Sequence, residues 1–526
     1  MIFQIFKVSS LFHILKNNSA KPLSHRRLEI GSADLRPAGS SYRRKGNLME
    51  KKNGDQKAAR QAPLVTLDYN NLMADVIGEA GLTETDLSAI RDSLNSAVKN
   101  VENQYKKGGL AFMDLPFKND DVKKYQALAD KYKKFENVVV LGIGGSALGT
   151  KAIFNALRPM NHNSLPAAKR GWPRLFVADN IDPEGFNILL DSLDIRKTVF
   201  NVISKSGATA ETMSQFLIIY DRLKRDLGKT TLKDHLLITT DPSGGVLRKI
   251  VDSQDLSSLE VPPGVGGRFS VMTAVGLAPL AMAGVDIAGL LAGAAACQNE
   301  PTDDVMANKA ALFAGLNWYL TTKKKRGSMV MMPYADSLEQ VADWFGQLWN
   351  ESLGKAKLLN GKDAATGQTA IKALGATDQH SQLQLYMEGP KDKTICFLRT
   401  ESFRNNINIP KIFEEHPELA YLGGHSMGEL LNFEQKGTAR ALAASGRPNL
   451  TLSMPQVTPA SVGYLLHMLE VATVISGVLY KIDPLDQPGV ELGKKYTYGL
   501  MGRDGFDDFK ASYEKGLGNH AKFILP

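Results

Sequence analysis

Two cysteines in 526 residues, Cys297 and Cys396, are too few for a disulfide framework, and neither stands at a spacing that would hold a metal. A reducing compartment is implied, and the cytoplasm is the expected location. Net positive charge is also missing from most of the chain. The net charge is +8, yet residues 1–48 hold nine Lys and Arg against two acids, which leaves 54 basic and 53 acidic residues beyond them. A near-neutral body gives no electrostatic reason to expect nucleic acid as a partner. Nor is there an unbroken apolar run of membrane-spanning length. The nearest, 275–297, contains Pro279 and Asp286 and is rich in Gly and Ala, so it predicts two buried helices broken near Gly284. No membrane partner is expected.

Residues 1–48 are compositionally foreign to the rest of the chain. Lys7 interrupts any apolar signal core and no small-residue cleavage site stands close behind it, which argues against a secretory leader. An Arg-rich, acid-poor transit leader fits the composition. So does a start of translation at Met49, with 1–48 a disordered or untranslated extension, and this second reading is preferred. The remaining length, 43% apolar and 22% charged over the whole chain, has room for two or three domains.

What the sequence does have is a stretch at 138–149, VVVLGIGGSALG. Three β-branched residues and Leu141 make an apolar run too uniform for a half-exposed strand, so a buried parallel strand is predicted, turning at Gly142, Gly144 and Gly145. A helix is expected to begin near Ser146. Such a turn brings backbone N–H groups, a helix N-terminus and the Ser146 hydroxyl to one point, which suits phosphate. The loop lacks the Gly-Lys-Ser/Thr of a nucleotide loop, and Ala147 stands where a dinucleotide fingerprint prefers its third glycine. A tight turn with no ligand is the competing reading.

A second loop answers it. After an apolar run at 198–203 comes Ser204-Lys205-Ser206-Gly207-Ala208-Thr209, then a helical pattern with Thr209 or Ala208 at the cap position. Three hydroxyls, an ammonium and a helix N-terminus at a strand end form another phosphate cradle. In an open parallel sheet both loops lie at the carboxyl edge, where ligands bind. Together they point to a phosphorylated small molecule.

The rest of the chain fits around these loops. Residues 49–135 are charged and helical in pattern, with Leu87, Ile90, Leu94 and Val98 at helical spacing, and read as a lead-in beside the first sheet. Strands at 138–143, 175–178, 199–203 and 236–239, each followed by a helix, predict an α/β fold with a doubly wound parallel sheet. The loop 264–270, which ends at a plausible Ser270 cap, carries Arg268, whose guanidinium either points into a cleft or pairs with a buried carboxylate. A second β/α region has strands at 328–332, 394–398 and 450–454 and a long apolar helix at 461–480. Asp336 and Glu339 form a capping-box variant before a helix at 338–353, which Gly354 closes. Gln347 and Glu351 project together from the end of that helix, where a merely solvated helix end would look the same. His380 lies in the first turn of another predicted helix, usually a structural position. The expected boundaries are 136–290 and 291–482 for the two α/β domains and 483–526 for a C-terminal segment.

Three stretches in this order resemble the phosphoglucose isomerase family, in its bacterial branch: Val265-Gly266-Gly267-Arg268-Phe269-Ser270, Gln347-Leu348-Trp349-Asn350-Glu351-Ser352-Leu353-Gly354-Lys355, and Gln487-Pro488-Gly489-Val490-Glu491-Leu492-Gly493-Lys494. The context of His380, with the two phosphate loops, adds to them. The resemblance spans roughly residues 60–510. It implies two sugar-isomerase (SIS) domains and a phosphosugar isomerase that needs no cofactor and no metal. It further implies phosphate held by Ser146, Ser204, Lys205, Ser206 and Thr209, and sugar lined by Gly145, Gln347 and Gln487. Glu351 is then the expected base for proton transfer and Arg268 the group that stabilises the enediolate, with His380 and Lys494 opening the ring. A homodimer in which His380 crosses to the neighbouring subunit's site is implied as well. Rival readings are an isomerase of another phosphosugar, such as mannose 6-phosphate, and a non-catalytic sugar-phosphate-binding regulator.

Overall fold

The computed structural model describes residues 63–517 and 523–525, so the expectations for the 1–48 extension and for Met49 lie outside the described residues. In chain order its strands are β1 (Thr66–Asp68), β2 (Asn137–Leu141), β3 (Arg174–Ala178), β4 (Thr198–Ser204), β5 (Leu236–Thr240), β6 (Ser258–Glu260), β7 (Ser328–Pro333), β8 (Lys355–Lys357), β9 (Asp363–Thr366), β10 (Thr369–Lys372), β11 (Lys393–Ser402) and β12 (Asn449–Gln456). They form two five-stranded sheets and one small antiparallel pair, β8 with β9.

The first sheet runs β3-β2-β4-β5-β6, parallel throughout. Every residue of β2, β4 and β5 is buried, the condition that makes their sequences read as continuous apolar runs and not as alternation. Asn201 is the polar exception in the middle of β4, and its amide nitrogen donates to the Leu237 carbonyl and the Thr239 hydroxyl. The second sheet runs β1-β12-β11-β7-β10, parallel except for β1, which pairs antiparallel with the edge of β12.

The two sheets repeat one topology. In each, the first strand is central (β2, β7), the second lies on one side of it (β3, β10), the third on its other side (β4, β11) and the fourth beyond that (β5, β12). The chain therefore reverses direction across the sheet between β2 and β4, and again between β7 and β11, leaving a crevice at each carboxyl edge. This is the doubly wound α/β arrangement expected from the alternation of strand and helix patterns.

Helices fill the space between the sheets. Ala274–Met282 and Ile287–Gln298 are separated at Gly284, which has φ +77°, and Asp286 caps the second by accepting the Gly289 N–H. Among the described residues, Pro459–Tyr480 is the one helix long and apolar enough to cross a membrane, with a mean hydropathy of 1.7, but 83% of that apolar window is buried inside the fold. It packs on Glu84–Lys106, Ile287–Gln298, Lys309–Thr322 and Glu339–Leu353. Its Val462, Leu465, Leu466 and Leu469 are fully buried, each worth about 1.5–3 kcal/mol. Gly463 allows its backbone to touch Leu290, whose carbonyl oxygen would lie 1.9 Å from any Cβ at that position.

The structure corrects several expectations. The lead-in does not simply flank the first sheet: β1 joins the second sheet, and the helix Glu84–Lys106 packs on helices that come after the first. With three residues, none fully buried, β1 carries no alternation to read, and the open edge of β12 supplies its pairing. The short edge strand β10 gives no signal for the same reason. The capping box of Asp336 and Glu339 does not form. A 3-10 turn, Asp336–Leu338, precedes the helix Glu339–Leu353, so the Glu339 N–H goes to the Asp336 backbone carbonyl instead of its carboxylate. His380 ends a 3-10 turn, Thr377–His380, ahead of the helix Leu383–Glu388, and the exit segment contains the start of a helix, Glu491–Leu500.

Candidate active site

Beyond β2 the chain turns through Gly144 at φ +59° into a 3-10 turn, Gly144–Ser146, and the helix Leu148–Leu157 starts two residues later than expected. A Cβ on Gly145 would lie 2.2 Å from the Gly267 carbonyl carbon and 2.7 Å from the Arg268 nitrogen, and one on Gly144 would lie 2.9 Å from Gln347 Nε2. Glycine at these two positions lets the loop rest directly on the Arg268 loop and beside Gln347.

The second loop gathers its hydroxyls inward. Thr209 Oγ1 lies 3.1 Å from Ser204 Oγ and 3.3 Å from Ser206 Oγ. Ser204 Oγ also accepts the Gly207 N–H, and Ser206 Oγ the Ala208 N–H. Thr209 does stand at the cap position of the helix Ala210–Leu227, but its side chain does not cap. The N-terminus of that helix is thus left with no side-chain cap beside three clustered hydroxyls, an arrangement suited to an anion. Lys205 donates to the Val265 carbonyl at 2.8 Å, which ties this loop to the one carrying Arg268.

Arg268 is only 4% exposed, and each of its guanidinium nitrogens is engaged. Nε donates to Ser352 Oγ at 2.6 Å, Nη1 to Gln487 Oε1 at 2.9 Å and to Glu351 Oε2 at 3.4 Å, and Nη2 to the carbonyls of Pro484 and Asp486 at 2.6 and 3.0 Å. Burial lowers its pKa, while the charges of Glu351 and Asp486 oppose the change. Both readings of Arg268 are met together: it pairs with a carboxylate, and that carboxylate is the candidate base. The same Glu351 oxygen accepts from Gln347 Nε2 at 3.2 Å, and the Gln347 carbonyl oxygen is buried without a partner among the described residues. Two donors on one oxygen fix the carboxylate at the helix end, while its side chain stays 26% exposed.

Lys355 stands in the Gln347-to-Lys355 stretch with no role that its sequence position assigns. Its ammonium is buried and donates to the carbonyls of Glu351, Ser352 and Asp486, and it lies 3.4 Å from the Asp486 carboxylate. Burial lowers its pKa, with a further lowering from nearby Arg268. It closes the C-terminus of the helix Glu339–Leu353 and joins it to the 483–487 segment that Arg268 also grips. A lysine just past a helix-ending glycine is the signal the sequence offers, since cations suit that end of the dipole.

The structure therefore brings Gly145, Arg268, Gln347, Glu351 and Gln487 into one cluster, with Lys205 tied to the same loop. Two of the expected residues stand apart. His380 is exposed and makes no hydrogen bond or ion pair with Glu351 or Arg268. Lys494 is half exposed and pairs with Glu491 at 2.8 Å.

Comparison with known proteins adds four findings. The family model of phosphoglucose isomerase matches residues 119–504. A glucose-6-phosphate isomerase from Carboxydothermus hydrogenoformans is 43% identical over 465 residues, covering 87% of this chain and 99% of the relative. A hypothetical protein from Thermus thermophilus superimposes with a TM-score of 0.73 at 34% identity, covering 83% of this chain and all of the other. A glucose-6-phosphate isomerase from Chlamydia trachomatis shares the fold, with a TM-score of 0.64 at 23% identity over 75% of this chain and 77% of its own.

Proposed function

The chain belongs to the phosphoglucose isomerase family and interconverts glucose 6-phosphate and fructose 6-phosphate; we propose that Glu351 is the base that carries the proton between C1 and C2. The observation that carries this reading is the Arg268–Glu351–Gln347 contact at the crevice between β2 and β4. Proton transfer between adjacent carbons needs one base that can reach both, and it leaves negative charge on oxygen in the enediolate between them. Glu351 offers that base on a fixed helix end. Arg268 lies 3.4 Å from it with its cation desolvated, where charge stabilisation is strongest.

Ser146, Ser204, Lys205, Ser206 and Thr209 are proposed to bind the phosphate, and Gly145, Gln347 and Gln487 to line the sugar. The inward cluster of Thr209 with two serine hydroxyls supports the first assignment. Contact of Gly145 and Gln487 with Arg268 supports the second. Ring opening is assigned to His380, assisted by Lys494. That His380 makes no hydrogen bond or ion pair with Glu351 within one chain agrees with a homodimeric site to which His380 comes from the neighbouring subunit. Large exposed side chains at Ile407, Ile412, Phe413, Tyr421, Met427 and Phe433 offer an apolar surface for such a partner. The reaction would serve glycolysis and gluconeogenesis in the cytoplasm.

The test uses the full chain with fructose 6-phosphate and a coupled readout of glucose 6-phosphate, followed by subunit mixing. Glu351→Gln and His380→Ala homodimers should each be nearly inactive. Mixed and reassociated, they should recover activity through the heterodimer's one intact site. No recovery would refute the shared site, and an inactive parent chain would refute the function.

A further inference from the structure

The crevice between β7 and β11 is the topological counterpart of the proposed substrate crevice between β2 and β4, and it holds a cavity of about 650 Å³, within the range of small-ligand sites, roughly 300–1,000 Å³. The loop after β7 and the loop after β11 line it, as the loops after β2 and β4 line the first. Neither loop is glycine-rich, so the anion chemistry differs. Charge comes instead from Arg404, which donates one N–H to the Leu157 carbonyl at 3.0 Å and makes no ion pair among the described residues. Partial burial of its guanidinium lowers its pKa.

Asp336 lines the same cavity. Its capping box is not formed, and its carboxylate, which is exposed, has no hydrogen bond or ion pair among the described residues. Ser337, Asn405 and Asn161 line the same space, and their side chains likewise make no hydrogen bond among the described residues. The N–H groups of Asp336 and Ser337 are given to no carbonyl there. Phe403 supplies an apolar wall. One cation, one carboxylate able to accept two hydroxyls, two amides and a flat apolar face make a site for a polyol carrying a single negative group.

The geometry points to a second ligand site, between β7 and β11, that binds a phosphorylated sugar without converting it. Its one carboxylate, Asp336, has no arginine paired with it as Arg268 is with Glu351, and its lining holds no Glu, His or Lys. The ligand class rests on the proposed function, while the site rests on the repeated topology and its unpartnered polar lining.

Equilibrium dialysis of the full chain against the equilibrated pair of glucose 6-phosphate and fructose 6-phosphate tests it. Two equivalents per chain are expected. Arg404→Ala should leave one, with kcat and KM of the isomerisation unchanged, and Asp336→Asn should weaken the same equivalent tenfold or so. Inorganic phosphate, which lacks the hydroxyls, should displace it poorly. A single equivalent in the parent chain would overturn the site, as would two equivalents that survive both substitutions. Displacement by inorganic phosphate as effective as by the sugar phosphate would overturn the polyol assignment. A parent chain that binds two equivalents but fails to isomerise would fault the proposed function and leave the second site standing.

Discussion

Replacing Glu351, the proposed base, by Gln should isolate proton transfer from everything else the site does. Glu351 Oε2 accepts from Arg268 Nη1 at 3.4 Å and Gln347 Nε2 at 3.2 Å, and a glutamine carbonyl oxygen can accept both. The fold should therefore lose only the charge-assisted part of the Arg268 contact, about 1–2 kcal/mol. Other acceptors still hold the guanidinium, at Ser352, Gln487, Pro484 and Asp486. The melting temperature should fall by a few degrees at most. An amide cannot take a carbon-bound proton, so turnover should drop by about 10² to 10⁴, or roughly 2.7–5.4 kcal/mol of transition-state stabilisation. The assay mixes the variant with glucose 6-phosphate in deuterated water and follows anomer exchange and loss of the C2 proton separately. Anomer exchange without C2 exchange is expected, because ring opening is assigned to other residues. C2 exchange at the parent rate would show that a different group is the base.

Thr209→Ala removes the hydroxyl between Ser204 and Ser206; it should raise KM by the equivalent of about 1.5–3 kcal/mol and leave kcat nearly unchanged. A fall in kcat at constant KM would move Thr209 into the chemical step. Far from the site, Asp86 gives a prediction for pH. Burial alone would raise its pKa, but hydrogen bonds from Tyr319, the Thr83 N–H and Lys324 outweigh it and hold the pKa at about 2 against an ordinary 3.8. Since the folded value is the lower one, this stabilisation is present in full above pH 3.8 and disappears as the pH falls toward 2. Asp86→Asn should therefore cost about 2 kcal/mol at neutral pH, measured by urea unfolding. The gap between variant and parent should close as the pH approaches 2; a gap that persists there would assign the effect to packing.

Local pattern alone is enough for the parallel strands β2, β4 and β5, for the glycine turn before the helix Leu148–Leu157, and for the break at Gly284. Each depends on residues within a few positions: β-branched side chains buried on both faces, glycine at positive φ, an Asp at a helix start. The candidate site residues are picked out in the same way, as polar groups where strands and helices end. Their meeting is not. Arg268 is 83 residues from Glu351 and 219 from Gln487, and the contacts among them form where the Gly267 backbone rests against Gly145. Periodicity reports which face of an element is buried, never which other element lies against it. That is why the sequence assigns no role to Lys355, why it hides β1 on the edge of the second sheet, and why it makes Asp336 look like a cap. The 3-10 turn that frees Asp336 and the reversal between β7 and β11 that gives it a cavity are set by packing between elements, which tertiary structure alone decides.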